Sequence, residues 1–260
     1  MSSLYKIQAQ DAGSCLHPVL LLYSIKRDAI DAPLSTNTFL RGLNMKYKCL
    51  VFDHDDTVVN STATIHHPCF QLFLDQYRPG RVCTLEEYFI KNFDPGFIPM
   101  CKADYGLTDE ELETEGSFWK EYVKGHIPVV YPGIREIMEK HKARGGLICV
   151  VSHSHEENIL RDYAANNLPT PDAIYGWGRP PEERKPHPFP LMDIMARFGL
   201  EASELLMIDD LKPGYDMALS CGVDFAAVGW ANGIEPIERF MRANCRLYFK
   251  EVWEFSAFLR

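Results

Sequence analysis

The feature that most constrains the fold is a series of short apolar segments, each long enough for one β-strand, that alternate with stretches of helical periodicity. The predicted strands span residues 47–52, 147–151, 172–175, 204–208, 224–228 and 246–249. Most of their residues are apolar, as expected for strands that are buried on both faces of a parallel sheet. Between them, apolar residues recur at helical spacing, for example at Ile134, Ile137 and Met138. The alternation predicts an α/β protein with a doubly wound parallel sheet.

One long stretch interrupts this alternation. Residues 61–130 contain several helical signals but no convincing strand, and capping boxes begin at Thr84 and Thr108. We therefore predict an α/β core domain of residues 45–60 and 131–260, with a second, smaller helical cap domain of residues 61–130 inserted in it. Such a cap would lie over the carboxyl ends of the strands, where ligands of open α/β sheets bind.

The first 44 residues differ from the rest of the chain, because they show no sustained hydrophobic period. At Met45 the sequence changes to a short apolar run that leads into the first predicted strand. We interpret residues 1–44 as a poorly ordered N-terminal extension and residues from Met45 onward as the functional part.

Composition excludes several classes of partner. The chain carries 27 Lys and Arg against 36 Asp and Glu, a formal net charge of −9, without a basic run. This argues against nucleic acid or an anionic membrane as the main partner. No apolar run approaches the roughly 20 residues that span a bilayer. The eight cysteines are scattered without a Cys-x-x-Cys pair, which predicts reduced thiols and a cytoplasmic location.

Acidic residues follow two of the predicted strands directly. Asp53, Asp55 and Asp56 come after the first strand, and Asp209 and Asp210 come after the strand at 204–208. Two carboxylates ~4 Å apart repel by roughly 4 kcal/mol at an effective dielectric near 20, and a hard cation such as Mg²⁺ would relieve that repulsion. The alternative is a solvated turn with one Asp capping the next helix, which accounts for one carboxylate but not for the pair Asp53 and Asp55.

A hydroxyl and a lysine occupy two further loops. Ser152 follows the strand at 147–151, where a hydroxyl and backbone N–H groups can bind an anionic oxygen. A serine here can also be a helix cap, but Ser154 is the better-placed cap and forms a capping box with Glu157, which leaves Ser152 free. Lys185 precedes Pro186 on a stiff loop, so it is either a placed charge for a phosphate or carboxylate cluster or an exposed loop lysine. Because a parallel sheet brings such strand ends to one edge, these positions together predict a cation and anion site.

The histidines of these loops and the polar residues of the predicted cap have less specific interpretations. We interpret His153 and His155 as surface or lid-facing residues rather than metal ligands. Five cap residues are candidates for substrate contact and equally for ordinary lid surface or packing: His66, His67, Tyr88, Lys102 and Trp119.

The acidic, hydroxyl and lysine motifs, in this order, resemble those of the haloacid dehalogenase-like (HAD) superfamily. Its signature is Asp-x-Asp-x-Thr/Val after the first strand, a Ser or Thr after the second, a Lys and then an acidic pair. Here these are the segment 53–57, Ser152, Lys185 and Asp209-Asp210. The run 185–188 resembles the phosphoglycolate-phosphatase-like branch, and the likeness covers residues 46–230. It implies a Rossmann-type α/β core with a helical cap.

The resemblance implies a role for each matched residue. Asp53 would be the nucleophile that forms an aspartyl-phosphate, and Asp55 would be the general acid and then the general base. Ser152 and Lys185 would hold the phosphoryl oxygens. The metal would bind Asp53, the backbone carbonyl of Asp55, and Asp210, while Asp209 would lie beside the metal without binding it directly.

Two positions depart from the family pattern. Many relatives carry Gly where this chain has Asp56, which implies a stiffer loop or an additional acid near the site. Gly214 lies where a further acid or Asn is usual, so metal affinity could differ from that of the relatives.

The resemblance implies a Mg²⁺-dependent phosphatase, a monomer or homodimer, that acts on a small phosphorylated metabolite. Asp55 favours phosphate ester chemistry, because dehalogenases lack an acid at that position. A sugar phosphate phosphomutase would share every core residue. A phosphorylatable signalling or binding domain without turnover also combines such residues, but there the acidic pair precedes the acceptor Asp. A structural protein with a decayed site is the remaining alternative.

Overall fold

The computed structural model describes residues 45–260, so the predicted N-terminal extension, residues 1–44, lies outside the described residues. Among the helices of residues 45–260, none combines the length and the apolar character that a membrane crossing requires. All strand and helix bounds below refer to this part of the chain.

The strands form one parallel sheet and one small antiparallel pair. Their bounds are β1 Cys49–Phe52, β2 Val59–Asn60, β3 Val129–Val130, β4 Leu147–Val151, β5 Ala173–Tyr175, β6 Leu205–Asp209, β7 Asp224–Val228 and β8 Leu247–Phe249. The six-stranded sheet has the order β5-β4-β1-β6-β7-β8, and all its neighbours run parallel. Phe52 of the central strand pairs with Val150 on one side and with Ile208 on the other. The predicted α/β fold with a parallel sheet is confirmed.

Helices cover both faces of this sheet. They are α5 Ile134–Ala143, α6 Glu156–Ala165, α7 Phe189–Phe198, α8 Lys212–Cys221, α9 Glu235–Asn244 and α10 Val252–Phe258. Alternate residues of β1 pack on opposite faces of the sheet, because successive side chains of a strand point to opposite sides. Leu50 packs in a cluster with residues of α5 such as Met138, whereas Val51 packs in a second cluster with residues of α7 such as Ile194. β1 is therefore buried on both sides, which explains its uninterrupted apolar sequence.

A helical segment lies between β2 and β3, which pair antiparallel at its two ends. It consists of a π-helical turn, Thr62–His66, followed by α1 His67–Tyr77, α2 Leu85–Phe93, α3 Phe97–Tyr105 and α4 Asp109–Lys124. The two capping boxes predicted in this segment are confirmed, since Thr84 caps α2 and Thr108 caps α4, each with the Glu three residues on.

The inserted helices have a hydrophobic cluster of their own but are also joined to the rest of the molecule. Phe70, Phe73 and Met100 are buried in a cluster formed by inserted residues alone. In contrast, Phe89 of α2 packs with Ile237 and neighbouring residues of α9. The division into core domain 45–60 and 131–260 and cap domain 61–130 remains a prediction, and apolar side chains of α2 pack on the predicted core.

Glu115 of α4 is a buried acid, and its burial predicts a pH-dependent stability. It is 6 % exposed and forms no hydrogen bond or ion pair with any residue that the structure describes. Burial raises its pKa to about 7, above the value of 4.5 for a solvated Glu. The folded state therefore holds this proton more tightly than the unfolded state, so stability falls as the pH rises from about 4.5 to about 7.

We expect Glu115→Gln to make the protein more stable at pH 8 by on the order of 2–3 kcal/mol, and to flatten the pH dependence of stability over that interval. Urea unfolding at pH 5 and pH 8 measures both effects. The control is Glu113→Gln, which changes an exposed residue of the same helix. If Glu115→Gln and the wild-type protein lost stability equally between the two pH values, the buried carboxyl would not be the cause.

Candidate active site

The loop after β1 turns sharply and carries three acidic side chains near one another, of which Asp53 and Asp56 are buried and Asp55 is partly buried. The backbone N–H of Asp53 donates to the carbonyl of Ile208 in the neighbouring strand, 2.8 Å away, so Asp53 lies at the carboxyl edge of the sheet. Asp56 has a φ of +58°, in the left-handed region that favours Gly and that Asp tolerates better than most residues. Gly would adopt this conformation without strain, so the backbone here suits the Gly of the family pattern as well as Asp56.

Asp56 contributes to the start of the inserted segment. Its Oδ1 accepts hydrogen bonds from the backbone N–H groups of Ser61, at 3.3 Å, and Thr62, at 3.2 Å. Burial raises the pKa of Asp56 to about 6. Its carboxyl group thus holds the first turn of the inserted helices in place, which gives the residue a structural role.

Lys185 bridges two carboxylates from different strand ends. Its Nζ donates to Asp53 Oδ1 over 2.7 Å and to Asp209 Oδ2 over 2.8 Å, and all three side chains are buried. Burial alone would lower the pKa of Lys185, but Asp209 and Asp53 outweigh this and raise the pKa above its ordinary value. Lys185 is therefore a fixed positive charge at the sheet edge, and it is not an exposed loop lysine.

Three carboxylates converge beside this lysine. Oxygen atoms of Asp53, Asp209 and Asp210 all lie within 4.8 Å of one another. Burial raises the pKa of all three carboxyl groups, to about 7 for Asp209 and well above the usual range for Asp210. Lys185 supplies one positive charge to three acids, so the ionised cluster keeps an excess of negative charge. A bound cation would offset this excess. Carboxylate oxygens are also the ligands that hard divalent cations prefer, so the residues fit a metal ion.

The two residues of the acidic pair differ in the number of hydrogen bonds that their carboxylates accept. Asp209 uses both oxygens within the protein, because Oδ1 accepts from the backbone N–H of Leu211 at 2.8 Å and Oδ2 accepts from Lys185. Asp210 accepts one longer hydrogen bond, 3.2 Å, from the hydroxyl of Thr57. Asp210 is thus the freer ligand of the two, in keeping with the predicted roles, which remain predictions.

The close packing of α8 against Asp209 explains the second departure from the family pattern. A Cβ atom at Gly214 would lie 2.0 Å from Oδ2 of Asp209, the oxygen that binds Lys185. Any side chain at this position would displace that carboxylate. Gly214 therefore leaves space for the Asp209–Lys185 ion pair.

Asp55 accepts hydrogen bonds from three side chains. Ser61 Oγ and His66 Nε2 lie 2.7 and 2.9 Å from its Oδ1, and Ser154 Oγ donates to its Oδ2 over 2.5 Å. Burial would raise the pKa of Asp55, but His66 and Ser154 outweigh it and hold the pKa well below the usual range. In this arrangement Asp55 is an ionised proton acceptor.

The predicted helix cap at Ser154 is wrong. Helix α6 begins at Glu156 with His155 as its N-cap residue, and no side chain caps it. The Ser154 hydroxyl instead donates to Asp55, because a hydrogen bond to an ionised carboxylate is stronger than one between a hydroxyl and a backbone N–H group. Ser152 is buried, and its Oγ accepts from the backbone N–H of Ser154 at 3.1 Å. That bond leaves the Ser152 hydroxyl hydrogen available to an anion.

His153 has a different environment from the predicted one. Its Nε2 lies 3.0 Å from the backbone carbonyl of Lys185, and its ring packs edge-on against Trp177. The guanidinium of Arg184 in turn lies over Trp177, 4.4 Å from the ring centroid. His153 thus supports the loop that carries Lys185, a contact between loops that no local sequence pattern indicates. His155 packs against Trp119 of α4, as its lid-facing interpretation expects.

The candidate substrate contacts of the inserted helices divide into two groups. His67 binds the backbone carbonyl of Cys83, Tyr88 is buried, and Lys102 pairs with Asp109, so these three have partners within the inserted segment. His66 and Trp119 instead line a small cavity beside Asp55.

The sequence and the fold match known proteins. Residues 50–228 match the family model for haloacid dehalogenase-like hydrolases. A phosphoglycolate phosphatase from Mannheimia succiniciproducens is 27 % identical over 203 residues, which cover 74 % of this chain and 88 % of that protein.

Solved structures show the same fold. The crystal structure of a predicted phosphoglycolate phosphatase from Haemophilus somnus superposes with a TM-score of 0.66 at 20 % identity, covering 84 % of this chain and 100 % of the other. The structure of a haloacid dehalogenase-like family hydrolase from Streptococcus pneumoniae has a TM-score of 0.67 at 15 % identity, covering 83 % of this chain and 99 % of the other. These structures share the Rossmann-like HAD fold, and the family model covers most of residues 45–260, so the chain belongs to the haloacid dehalogenase-like hydrolase family and is an enzyme.

Proposed function

We propose that the protein is a Mg²⁺-dependent phosphatase that hydrolyses a small-molecule phosphate monoester through an aspartyl-phosphate intermediate. The observation that carries this proposal is the buried cluster of Asp53, Asp209 and Asp210 with Lys185 at the edge of the sheet, and Asp55 two residues beyond Asp53. Bound Mg²⁺ would be held by Asp53, Asp210 and the backbone carbonyl of Asp55, and it would neutralise negative charge between the nucleophile and the phosphate.

In the first step, a carboxylate oxygen of Asp53 attacks phosphorus and the ester P–O bond breaks. The departing oxygen takes a proton from Asp55, and Asp53 now carries the phosphoryl group. Lys185 and the Ser152 hydroxyl donate to the phosphoryl oxygens, whose charge they stabilise in the transition state. This step needs a protonated Asp55, and the hydroxyls of Ser61 and Ser154 can turn to accept its proton, because a hydroxyl both donates and accepts.

In the second step, a water molecule attacks the same phosphorus and its proton passes to the Asp55 carboxylate. The bond between phosphorus and the Asp53 oxygen breaks, which releases inorganic phosphate and restores both acids. The three hydrogen bonds to Asp55 favour its ionised form, and that is the form this step requires.

The cavity beside Asp55 limits access of a substrate to the site. It has a volume of about 10 Å³, room for about one water molecule. A phosphate ester is larger than this, so its entry requires the inserted helices to move away from the loop after β1. Phosphoglycolate is a reasonable first substrate to test, because relatives of this chain are named phosphoglycolate phosphatases.

We expect removal of divalent metal to abolish phosphatase activity and added Mg²⁺ to restore it, because the carboxylate cluster otherwise repels an anionic phosphate. Release of inorganic phosphate from p-nitrophenyl phosphate, phosphoglycolate, sugar phosphates and nucleotides would be measured before and after EDTA treatment. Mg²⁺ should also raise the melting temperature, since it binds only the folded cluster.

Full activity in excess EDTA would contradict the metal requirement. Conversion of a sugar phosphate to its isomer without phosphate release would instead identify a phosphomutase. A stable phosphoprotein without turnover would identify a signalling or binding domain.

We also propose that the enzyme acts in the cytoplasm, as a monomer or homodimer, on a small phosphorylated metabolite. The seven cysteines of residues 45–260 are free thiols, which suits a reducing compartment. The net charge of −9 favours neither nucleic acid nor an anionic membrane surface as a partner.

A further inference from the structure

Two consecutive hydrogen bonds connect the inserted helix α4 with Asp55. The indole Nε1 of Trp119 donates to Nδ1 of His66 over 3.0 Å, and Nε2 of the same histidine lies 2.9 Å from Asp55 Oδ1. An indole N–H group can only donate, so Nδ1 of His66 is the unprotonated ring nitrogen. The ring hydrogen is therefore on Nε2 and is donated to Asp55.

Trp119 also contacts the second segment that holds Asp55. Its ring packs against the ring of His155, with centroids 6.0 Å apart. His155 follows Ser154, whose hydroxyl binds the other oxygen of Asp55. One side chain of α4 thus lies against both segments that bind the Asp55 carboxylate.

Trp119 also lines the cavity at this edge of the site. The cavity beside Asp55 is lined on the inserted side by His66 and Trp119 and on the core side by Asn158 and Arg161. Arg161 holds the end of α4 in this position, because its guanidinium donates to the backbone carbonyl of Val123 over 2.7 Å. The hydrogen bonds from Trp119 to His66 and from His66 to Asp55 therefore depend on the position of α4 beside the loop after β1.

We propose that Trp119 is a positioning residue for the reaction. It fixes the Nε2–H tautomer and the ring plane of His66, and through His66 it holds the Asp55 carboxylate in the orientation for proton transfer. Within residues 45–260, the indole N–H of Trp119 donates to His66 and to none of the proposed catalytic residues, so it acts through His66. This inference deepens the proposed function and depends on it.

The first test is Trp119→Phe, which keeps an aromatic ring but removes the N–H donor. We expect kcat to fall by roughly 3- to 10-fold, the range expected for the loss of one neutral hydrogen bond, with KM changed by less than about twofold. Trp253→Phe is the matched control, because Trp253 is 68 % exposed on α10, and its kinetic constants should equal those of the wild-type protein. An unchanged kcat for Trp119→Phe would overturn the proposal.

A double-mutant cycle separates positioning from packing. His66→Gln should lower kcat by itself, and adding Trp119→Phe should then cause no further loss, because the connection to Asp55 is already broken. If the two losses were independent, so that the double variant lost the product of the single factors, Trp119 would act through packing and the proposal would be wrong.

Imidazole ¹⁵N NMR tests the same inference without turnover. The chain has nine histidines, and the His66 signals are those missing from the His66→Gln spectrum. We expect the Nε2–H tautomer in the wild-type protein, with an Nδ1 signal shifted by the hydrogen bond from the indole, and the loss of that shift in Trp119→Phe. The Nδ1–H tautomer in the wild-type protein would overturn the inference, whereas a correct tautomer in a protein without phosphatase activity would contradict the proposed function alone.

Discussion

Asp53→Asn is expected to lower kcat by at least about 10⁴-fold, as removal of a covalent nucleophile does in other enzymes. The amide has nearly the shape of the carboxylate, but it is a much weaker nucleophile towards phosphorus. Its oxygen can still accept the hydrogen bond from Lys185, so the fold should be kept. The measurement is single-turnover and steady-state phosphate release with saturating Mg²⁺.

The stability of the same variant serves as an internal check. Asp53 is one of three acids whose charges repel at the sheet edge, so its neutralisation should leave the free energy of unfolding unchanged or raised. Asp109→Asn is the matched control, because Asp109 is an exposed acid of α4 and should keep full activity. If Asp53→Asn folded normally and kept more than about a tenth of the wild-type rate, Asp53 would not be the nucleophile.

Lys185→Met is expected to destabilise the protein by about 3–5 kcal/mol, the cost of breaking a buried ion pair by removing one partner. The substitution leaves Asp53 and Asp209 buried without their shared positive charge. Activity should be lost as well, because the phosphoryl oxygens lose a donor. Urea unfolding in EDTA measures the stability effect without metal that could compensate.

A second substitution shows whether uncompensated charge causes the loss. Lys185→Met combined with Asp209→Asn removes one of the two unpaired carboxylates, so it should recover part of the stability. Lys91→Met is the control, because Lys91 forms an exposed ion pair with Asp104 and should change stability by less than about 0.5 kcal/mol. If Lys185→Met and Lys91→Met had equal effects, the buried cluster would contribute nothing to stability.

The strands of the sheet could be predicted from the sequence because their signal is local. A strand such as β4, Leu147–Val151, lies inside the sheet with helices on both faces, so nearly every residue must be apolar. The capping boxes of α2 and α4 were predicted for the same reason, since the bonded groups are three residues apart. The family resemblance also follows from residues in a fixed order along the chain.

The partners of the site residues could not be predicted in this way. Ser154 has the local pattern of a helix cap, yet its hydroxyl binds Asp55, 99 residues earlier in the chain. His153 has the pattern of a loop histidine, yet it binds the carbonyl of Lys185, 32 residues later. In each case the polar side chain binds a partner far along the chain, whereas the pattern of neighbouring residues indicates only a local partner.

The positions of the strands, the acidic loops at their ends and the family could be predicted from the chain alone, because burial and motif spacing depend on neighbouring residues. Folding is needed to show which side chains meet: the bridge from Lys185 to Asp53 and Asp209, the three donors around Asp55, and the burial of Glu115. Hydrogen bonds and charge interactions act over a few ångströms in space. Only the packing of the helices and the twist of the sheet bring groups that are far apart in sequence within that range.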